Sequence, residues 1–301
     1  MNISLPLASA PYFSGNLLAA LQDMLRYPFM RNAFLAGTII AIVAGIVGYF
    51  VVLRGLSFAG HALSHVGFAG ATAAVVIGMN PFYGMLMFSV GGSLIMGFLG
   101  KRLHGRDNVV GIILAWTMGL GVFFLTLYAG YANEAYAILF GQILGISQSN
   151  VVTTLITGII TLVALACIFR PLLFSSLDEE VAEARGIPTR LIAILFMVIL
   201  ALAVTAAVEV VGILLIFALL VTPAAIADRL SGRPAIVLLL SVILSVLFTW
   251  LGLIVSFYVP YPVSFFITSF AFLSYIIVRV APVVQGWALS RDAGKSTKVQ
   301  A

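Results

Sequence analysis

Charge is what this chain most lacks. Asp, Glu, Lys and Arg make up 8% of its 301 residues and hydrophobic residues 62%, whereas soluble globular domains carry roughly 25% charged residues. No water-soluble surface can be assembled from that composition, so a soluble globular domain is excluded. Cysteine is nearly absent as well. Cys167 stands alone in an apolar run, forms no intrachain disulfide and reads as a small packing residue. Met1 to Ala10 contain no basic residue, so the opening of a secretory signal is missing and insertion is expected to rely on internal helices. Basic residues outnumber acidic ones, 15 against 10, but they lie in small groups at the ends of apolar segments. That arrangement orients a chain in a membrane; nucleic-acid binding needs a basic face on a folded domain, and no nucleic acid is expected as a partner.

What is present is a succession of charge-free stretches. A membrane-crossing helix needs about 20 mostly apolar residues. The sequence predicts spans near 33–53, 57–79, 82–100, 109–128, 150–169, 190–208, 210–228, 235–257 and 263–281. Residues 134–147 are apolar but short and interrupted by glycine, which predicts a partial or interfacial helix. The fold class is therefore all-α, a polytopic integral membrane protein with eight or nine transmembrane helices and lipid as its surroundings. Its organisation reads as an N-terminal segment over 1–32, amphipathic in character, a transmembrane domain over 33–281 and a basic tail over 282–301. The 28 glycines lie inside apolar runs, where small residues let helices approach closely.

The basic residues of the short loops set the orientation. Arg54, Lys101/Arg102/Arg106, Arg170/Arg185/Arg190, Arg229/Arg233 and the C-terminal Arg279, Arg291, Lys295 and Lys298 share one side if the spans alternate, and that side is expected to be cytoplasmic. Arg26 and Arg31 fall on the other side. One loop, 171–189, is both long and highly charged. There Asp178, Glu179, Glu180 and Glu183 precede Arg185, Gly186 and Pro188. Ser176 or Asp178 is placed to cap a short helix with an acidic first turn, and Gly186 to end it. Such a helix has the shape of a docking surface; a solvated connector is the alternative.

The residues with metal-binding chemistry are few. Between Gly55 and Gly100 there is no Asp, Glu, Lys or Arg, yet His61 and His65 both occur there. Positions i and i+4 share a helix face, so the two imidazoles can converge on one ion, and neutral imidazole suits Zn, Cu, Fe and Ni. The small residues around them, Gly60, Ala62, Ser64, Gly67, Ala69 and Gly70, leave room for a neighbouring helix or a water-filled path. The alternative is that the imidazoles bond to backbone or serine and only pack helices. Glu209 stands alone between two apolar runs, where the predicted spans meet. It is either solvated at an external turn or attracts a cation to the mouth of a path. Pro223, inside a span, is expected to kink or break its helix. Gly294-Lys295-Ser296-Thr297 is similar to the end of a phosphate-binding loop, but Leu289 occupies the position of the first glycine, so ATP is not bound there.

The stretch from Phe34 through Leu53-Arg54 to Gly60-His61-Ala62-Leu63-Ser64-His65 resembles the first block of the zinc/manganese/iron permease family of ABC importers. In that family a span ends in Leu-Arg and Gly-Asp-x-x-Ser-His follows. Val211-Gly212-Ile213-Leu214-Leu215 and Pro223-Ala224-Ala225 resemble the family's later block, and the matches run from about residue 30 to 280. The resemblance implies a type II ABC importer fold in a bacterial cytoplasmic membrane. It implies a homodimer of permeases, cytoplasmic ATP-binding subunits and an extracytoplasmic solute-binding protein that delivers the metal. It further implies that the loop from Asp178 to Gly186 contacts the ATPase and that the motif's Asp and His line the metal path. The His falls on His65, whereas the Asp position is held by His61; that exchange favours zinc over manganese by ligand type, with manganese and iron kept as alternatives.

The resulting expectation is a permease that moves a divalent metal, with no permanently bound cofactor and no enzymatic chemistry of its own. A stand-alone secondary transporter or channel would carry ion-coupling carboxylates in mid-span, and Glu209 is the only acidic residue between Arg190 and Asp228. An intramembrane metalloprotease needs a motif such as His-Glu-x-x-His. His61-Ala62-Leu63-Ser64-His65 keeps that spacing but has no general base.

Overall fold

Apolar runs become helices wherever a breaker bounds them. The computed structural model describes residues 22–99, 103–127, 141, 143–259 and 261–296, the side chains of 103–106 and 281–296 excepted. The long helices are α1 (Pro28–Leu53), α2 (Ser57–Val76), α3 (Pro81–Leu99), α4 (Leu103–Thr126) and α5 (Gln148–Leu177). A short α6 (Glu179–Ala184) is followed by α7 (Thr189–Val211), α8 (Ile213–Leu230), α9 (Pro234–Tyr258) and α10 (Val263–Ser296). No strand occurs among the described residues. Proline is the first residue of α1, α3 and α9, where its missing N–H costs nothing and its fixed φ suits a helix start.

Eight helices among the described residues are long and apolar enough to cross a membrane; α2 is not one of them. Its own composition explains this, because His61, His65 and a run of Gly, Ser and Ala dilute its hydropathy. It is nonetheless the centre of one half of the bundle, packed on α3, α4, α7 and α8. Lipid is as apolar as leucine, so helices in a membrane associate through close packing rather than through the hydrophobic effect. α2 and α3 do this at Gly70 and Gly84, where a Cβ on either would collide with the other's carbonyl oxygen. α1 organises the other half. Its Gly48 lies against the backbone of Leu220 on α8, and the carbonyl of Gly45 accepts a 2.8 Å hydrogen bond from Ser241 Oγ on α9.

The outer helices present their apolar side chains outward. Only 17% of the apolar window of α4 is buried, and Ile112, Trp116, Val122 and Phe123 are exposed. At one end of the bundle the turn after α1 meets the last turn of α5, since Arg54 donates to Ser175 and Ser176. This puts two of the arginine-bearing loops on one side, as alternation of the spans requires.

Several predicted boundaries shift. α1 starts at Pro28, so Arg31 lies in its first turn and not in a separate segment ending at 32. Residues 1–21 of that segment lie outside the described residues, as do 134–140 and 142 of the predicted partial helix, whose remainder contains a 3₁₀ turn at Ile143–Gly145. Residues 171–177, expected in the charged loop, extend α5 through Pro171. A proline removes one hydrogen bond, but fully buried Leu172 and nearly buried Ser175 hold these last turns against the bundle. α8 likewise runs unbroken through Pro223, which is itself buried between Leu220 and Ala224. The backbone of α10 continues to Ser296, past the boundary expected at 281.

Candidate functional site

The histidine pair sits in the first half of α2. Its ring centroids are 4.7 Å apart with the planes near perpendicular, at 80°, so both imidazoles occupy the same helix face, as the i, i+4 spacing predicts. The ring of Phe217, on α8, packs 5.1 Å from His61 and walls one side of the pair. Both side chains are partly buried, and neither Nδ1 atom has a hydrogen-bond partner among the described residues. Ser64, the nearest hydroxyl in sequence, donates to the carbonyl of Gly60 in its own helix at 3.1 Å. Packing through bonds to backbone or serine therefore does not account for the Nδ1 atoms. Buried polar atoms without partners are uncommon and call for an explanation in terms of strain, function or an unseen ligand.

The small residues of α2 resolve into helix contacts. A Cβ on Gly60 would press on Leu220, one on Gly67 on the hydroxyl of Ser89, and one on Gly70 on Gly84. Ala62 and Ala69 are fully buried. Of the two roles open to these residues, close approach of neighbouring helices is the one they fill.

Glu209 is not in the turn where the sequence placed it. α7 extends to Val211, and the chain reverses at Gly212, whose φ of 81° lies in the left-handed region that glycine adopts without penalty. The carboxylate thus belongs to the last turn of α7, partly buried, and its Oε2 has no partner among the described residues. Thr205, one turn earlier, is 2% exposed and its hydroxyl is equally without a partner. Glu209 does not join the histidines in one cluster: among the described residues no three His, Cys, Asp or Glu side chains come together closely enough to hold an ion. The pair supplies two ligands, half of a tetrahedral set. A cavity of about 300 Å³ near the α7–α8 turn is lined by Ile143, Leu144, Val211, Leu215, Pro262 and Val263. Its lining is mostly apolar, with Ser264 the one polar side chain, and includes neither the histidines nor Glu209.

The charged loop forms the predicted short helix. Asp178 is its N-cap, the carboxylate accepting from the N–H of Val181 at 2.9 Å, and Glu179 and Glu180 fill its first turn, where the helix dipole favours negative charge. Ser176 is not the cap; its hydroxyl donates to the carbonyl of Leu172 within α5. Gly186 closes the helix with φ 78°. Glu183 Oε1 accepts from Thr189 Oγ1 at 2.6 Å, and Arg185 lies over the ring of Phe174, 5.2 Å from its centroid. α6 is thereby pinned to α5 and α7, and its acidic residues Glu179, Glu180 and Glu183 stay exposed.

A bundle of lipid-exposed helices around a histidine-bearing central helix, with one capped acidic helix at the arginine-rich end, defines a multi-pass membrane protein of transporter type. The chain belongs to the ABC 3 transport family, whose sequence description matches residues 26–281. It is 32% identical over 242 residues to the manganese transport system membrane protein MntC of Halalkalibacterium halodurans, covering 80% of this chain and 83% of that one. It is 32% identical over 238 residues to the manganese import system permease protein ScaB of Streptococcus parasanguinis, covering 79% and 85%. The structure of PsaBC from Streptococcus pneumoniae in complex with Fab superposes with a TM-score of 0.78 at 28% identity, covering 87% of this chain and 95% of that one.

Proposed function

We propose that this chain is the membrane-spanning permease of an ATP-driven importer for a divalent transition metal, in the cytoplasmic membrane of a bacterium. The carrying observation is the His61–His65 pair, two imidazoles on one face of a buried helix with unpartnered Nδ1 atoms. Metal ligation is the chemistry that such atoms fit. Glu209 serves on this reading as a separate acidic group near the end of α7, by the charge rule the extracytoplasmic end, where it attracts the cation without sharing its ligand set. Asp178, Glu179, Glu180, Glu183, Arg185 and Gly186 build the helix on which a cytoplasmic ATP-binding subunit docks. A solute-binding protein delivers the metal from outside, and two copies of the chain assemble side by side, so that a second His pair can complete the coordination.

The names of the similar proteins MntC and ScaB favour manganese as the cargo. Zinc is the second reading, favoured by the imidazole at position 61, because manganese prefers oxygen ligands. The test is uptake of radioactive manganese and zinc into proteoliposomes that hold the permease with its ATP-binding subunit and binding protein. ATP-dependent accumulation of either metal is expected, and accumulation by the permease alone without ATP would replace this reading with a secondary transporter.

A further inference from the structure

We propose that Arg54 is a positioning residue that carries movement of the cytoplasmic helix α6 to the histidine-bearing helix α2. The inference rests on the reading of α6 as the docking surface of an ATPase, and goes beyond it by naming the connection between that surface and the metal path.

Arg54 is the C-cap of α1. One guanidinium nitrogen donates to the hydroxyls of both Ser175 and Ser176, each at 3.1 Å. Each hydroxyl has a single hydrogen, and in both it is directed to the carbonyl of Leu172, at 3.1 Å from Ser175 and 2.5 Å from Ser176. Their lone pairs are left to accept from the cation. Two successive serines are thus oriented by their own helix to hold one arginine. They lie two and three residues before Asp178, the residue that caps α6, so the last turn of α5 cannot tilt without moving both α6 and Arg54.

The other side of the connection is equally short. After Arg54 the chain turns through Gly55 and Leu56 into α2 and reaches His61 seven residues later. The turn is stiff. Gly55 N–H donates to Val52 at 3.1 Å, Leu56 N–H to Val51 at 2.8 Å, and the Leu56 side chain is 3% exposed. Above it the ring of Phe50 meets Phe169 of α5 edge-on at 5.5 Å and Phe196 of α7 at 6.0 Å. At the far end of α6, Glu183 is tied to Thr189 at the start of α7. A push on α6 therefore acts on rigid attachments at both its ends, and the attachment on the α5 side leads through Arg54 to the base of the histidine helix.

The experiment compares the whole transporter, reconstituted with its ATP-binding subunit and binding protein, as wild type, Arg54→Ala, Arg54→Lys and the double variant Ser175→Ala/Ser176→Ala. Metal delivered per ATP hydrolysed is the readout, since a residue that only supports the fold would lower both together. Arg54→Ala and the serine pair are each expected to assemble and hydrolyse ATP while delivering about tenfold less metal per ATP. Combining them should cost less than the two losses added together, because the contact between Arg54 and the serines is removed in both. Arg54→Lys, which keeps a charged donor, should recover part of the coupling. If Arg54→Ala is not recovered from membranes, the serine pair decides, since alanine preserves the helix. An unchanged ratio in the variants that assemble overturns the proposal.

Reversing Glu179, Glu180 and Glu183 to Lys separates the two levels. Loss of co-purifying ATPase in that variant, beside an unchanged ratio for Arg54→Ala, removes the role of Arg54 alone. Normal assembly of the reversed variant removes the docking surface and the proposal with it.

Discussion

α2 and α4 are packed side by side, yet they solve opposite problems. The apolar window of α4, Asp107–Thr126, has a mean hydropathy of 2.2 and is 17% buried. α2 falls short of the apolarity that a spanning helix needs, yet 13 of its 20 residues are buried. The contrast belongs to this pair and is no rule for the bundle, since the apolar window of α7 has a mean hydropathy of 3.0 and is 67% buried. What sets α2 apart is that it is buried although it is poor in apolar side chains. A helix surrounded by protein can carry two histidines and many glycines because its neighbours, rather than lipid, surround its polar atoms. Intramembrane polar residues face the interior of a bundle for that reason.

The largest effect that would break this contrast is steric. Gly70→Leu on α2 drives a side chain into the backbone of Gly84, with no flexible group to yield, and should destabilise the bundle by about 3 kcal/mol. Gly119→Leu on α4 meets nothing within 4 Å and should change stability by less than about 0.5 kcal/mol. Thermal unfolding of both variants in detergent tests the pair; equal melting temperatures would mean that α2 is not the packed helix.

A functional contrast comes next. His65→Ala should lower metal uptake by at least about tenfold, since even an outer-shell partner of a ligand typically contributes that much, and His61→Ala should do nearly the same. Trp116→Ala, an exposed side chain on α4, should leave uptake unchanged. All three are expected to insert and to reach the membrane in normal amounts, as judged by blotting. Wild-type accumulation in both histidine variants would show that the pair only packs α2 against Phe217.

The smallest effect sharpens the choice of metal. His61→Asp restores the carboxylate of the resembling motif and replaces a neutral nitrogen by an anionic oxygen, which manganese accepts better than zinc does. Competitive uptake with the same binding protein should shift a few-fold toward manganese, about 1 kcal/mol or less of differential binding. A ratio and total flux that both stay constant would mean that His61 never meets the ion.

Much of this was legible in the sequence because it is local. The nine long helices among the described residues follow from apolar runs and breakers, and α6 follows from its acidic first turn and Gly186, while the choice of Asp178 over Ser176 as its cap came from the structure. Proline was the less reliable sign. Pro171 and Pro223 each remove one hydrogen bond, but buried neighbours such as Leu172 and Leu220 keep both helices intact. The span junction that the apolar runs predict at Glu209 falls three residues short of the observed one, although Gly212 marks the reversal in the sequence. A helix ending with glycine just beyond Val211 puts the carboxylate one turn inside.

Composition and periodicity alone decided that the chain lives in a membrane, that its regular structure is helical, and that His61 and His65 share a face. These properties depend on the nearest four residues or on the solvent. Only the tertiary structure decided that α2 is wrapped by other helices, that Glu209 stands apart from the histidines, and that Arg54 grips serines 121 and 122 residues away. Such contacts depend on which helices become neighbours, and side-chain spacing along one helix carries no record of that.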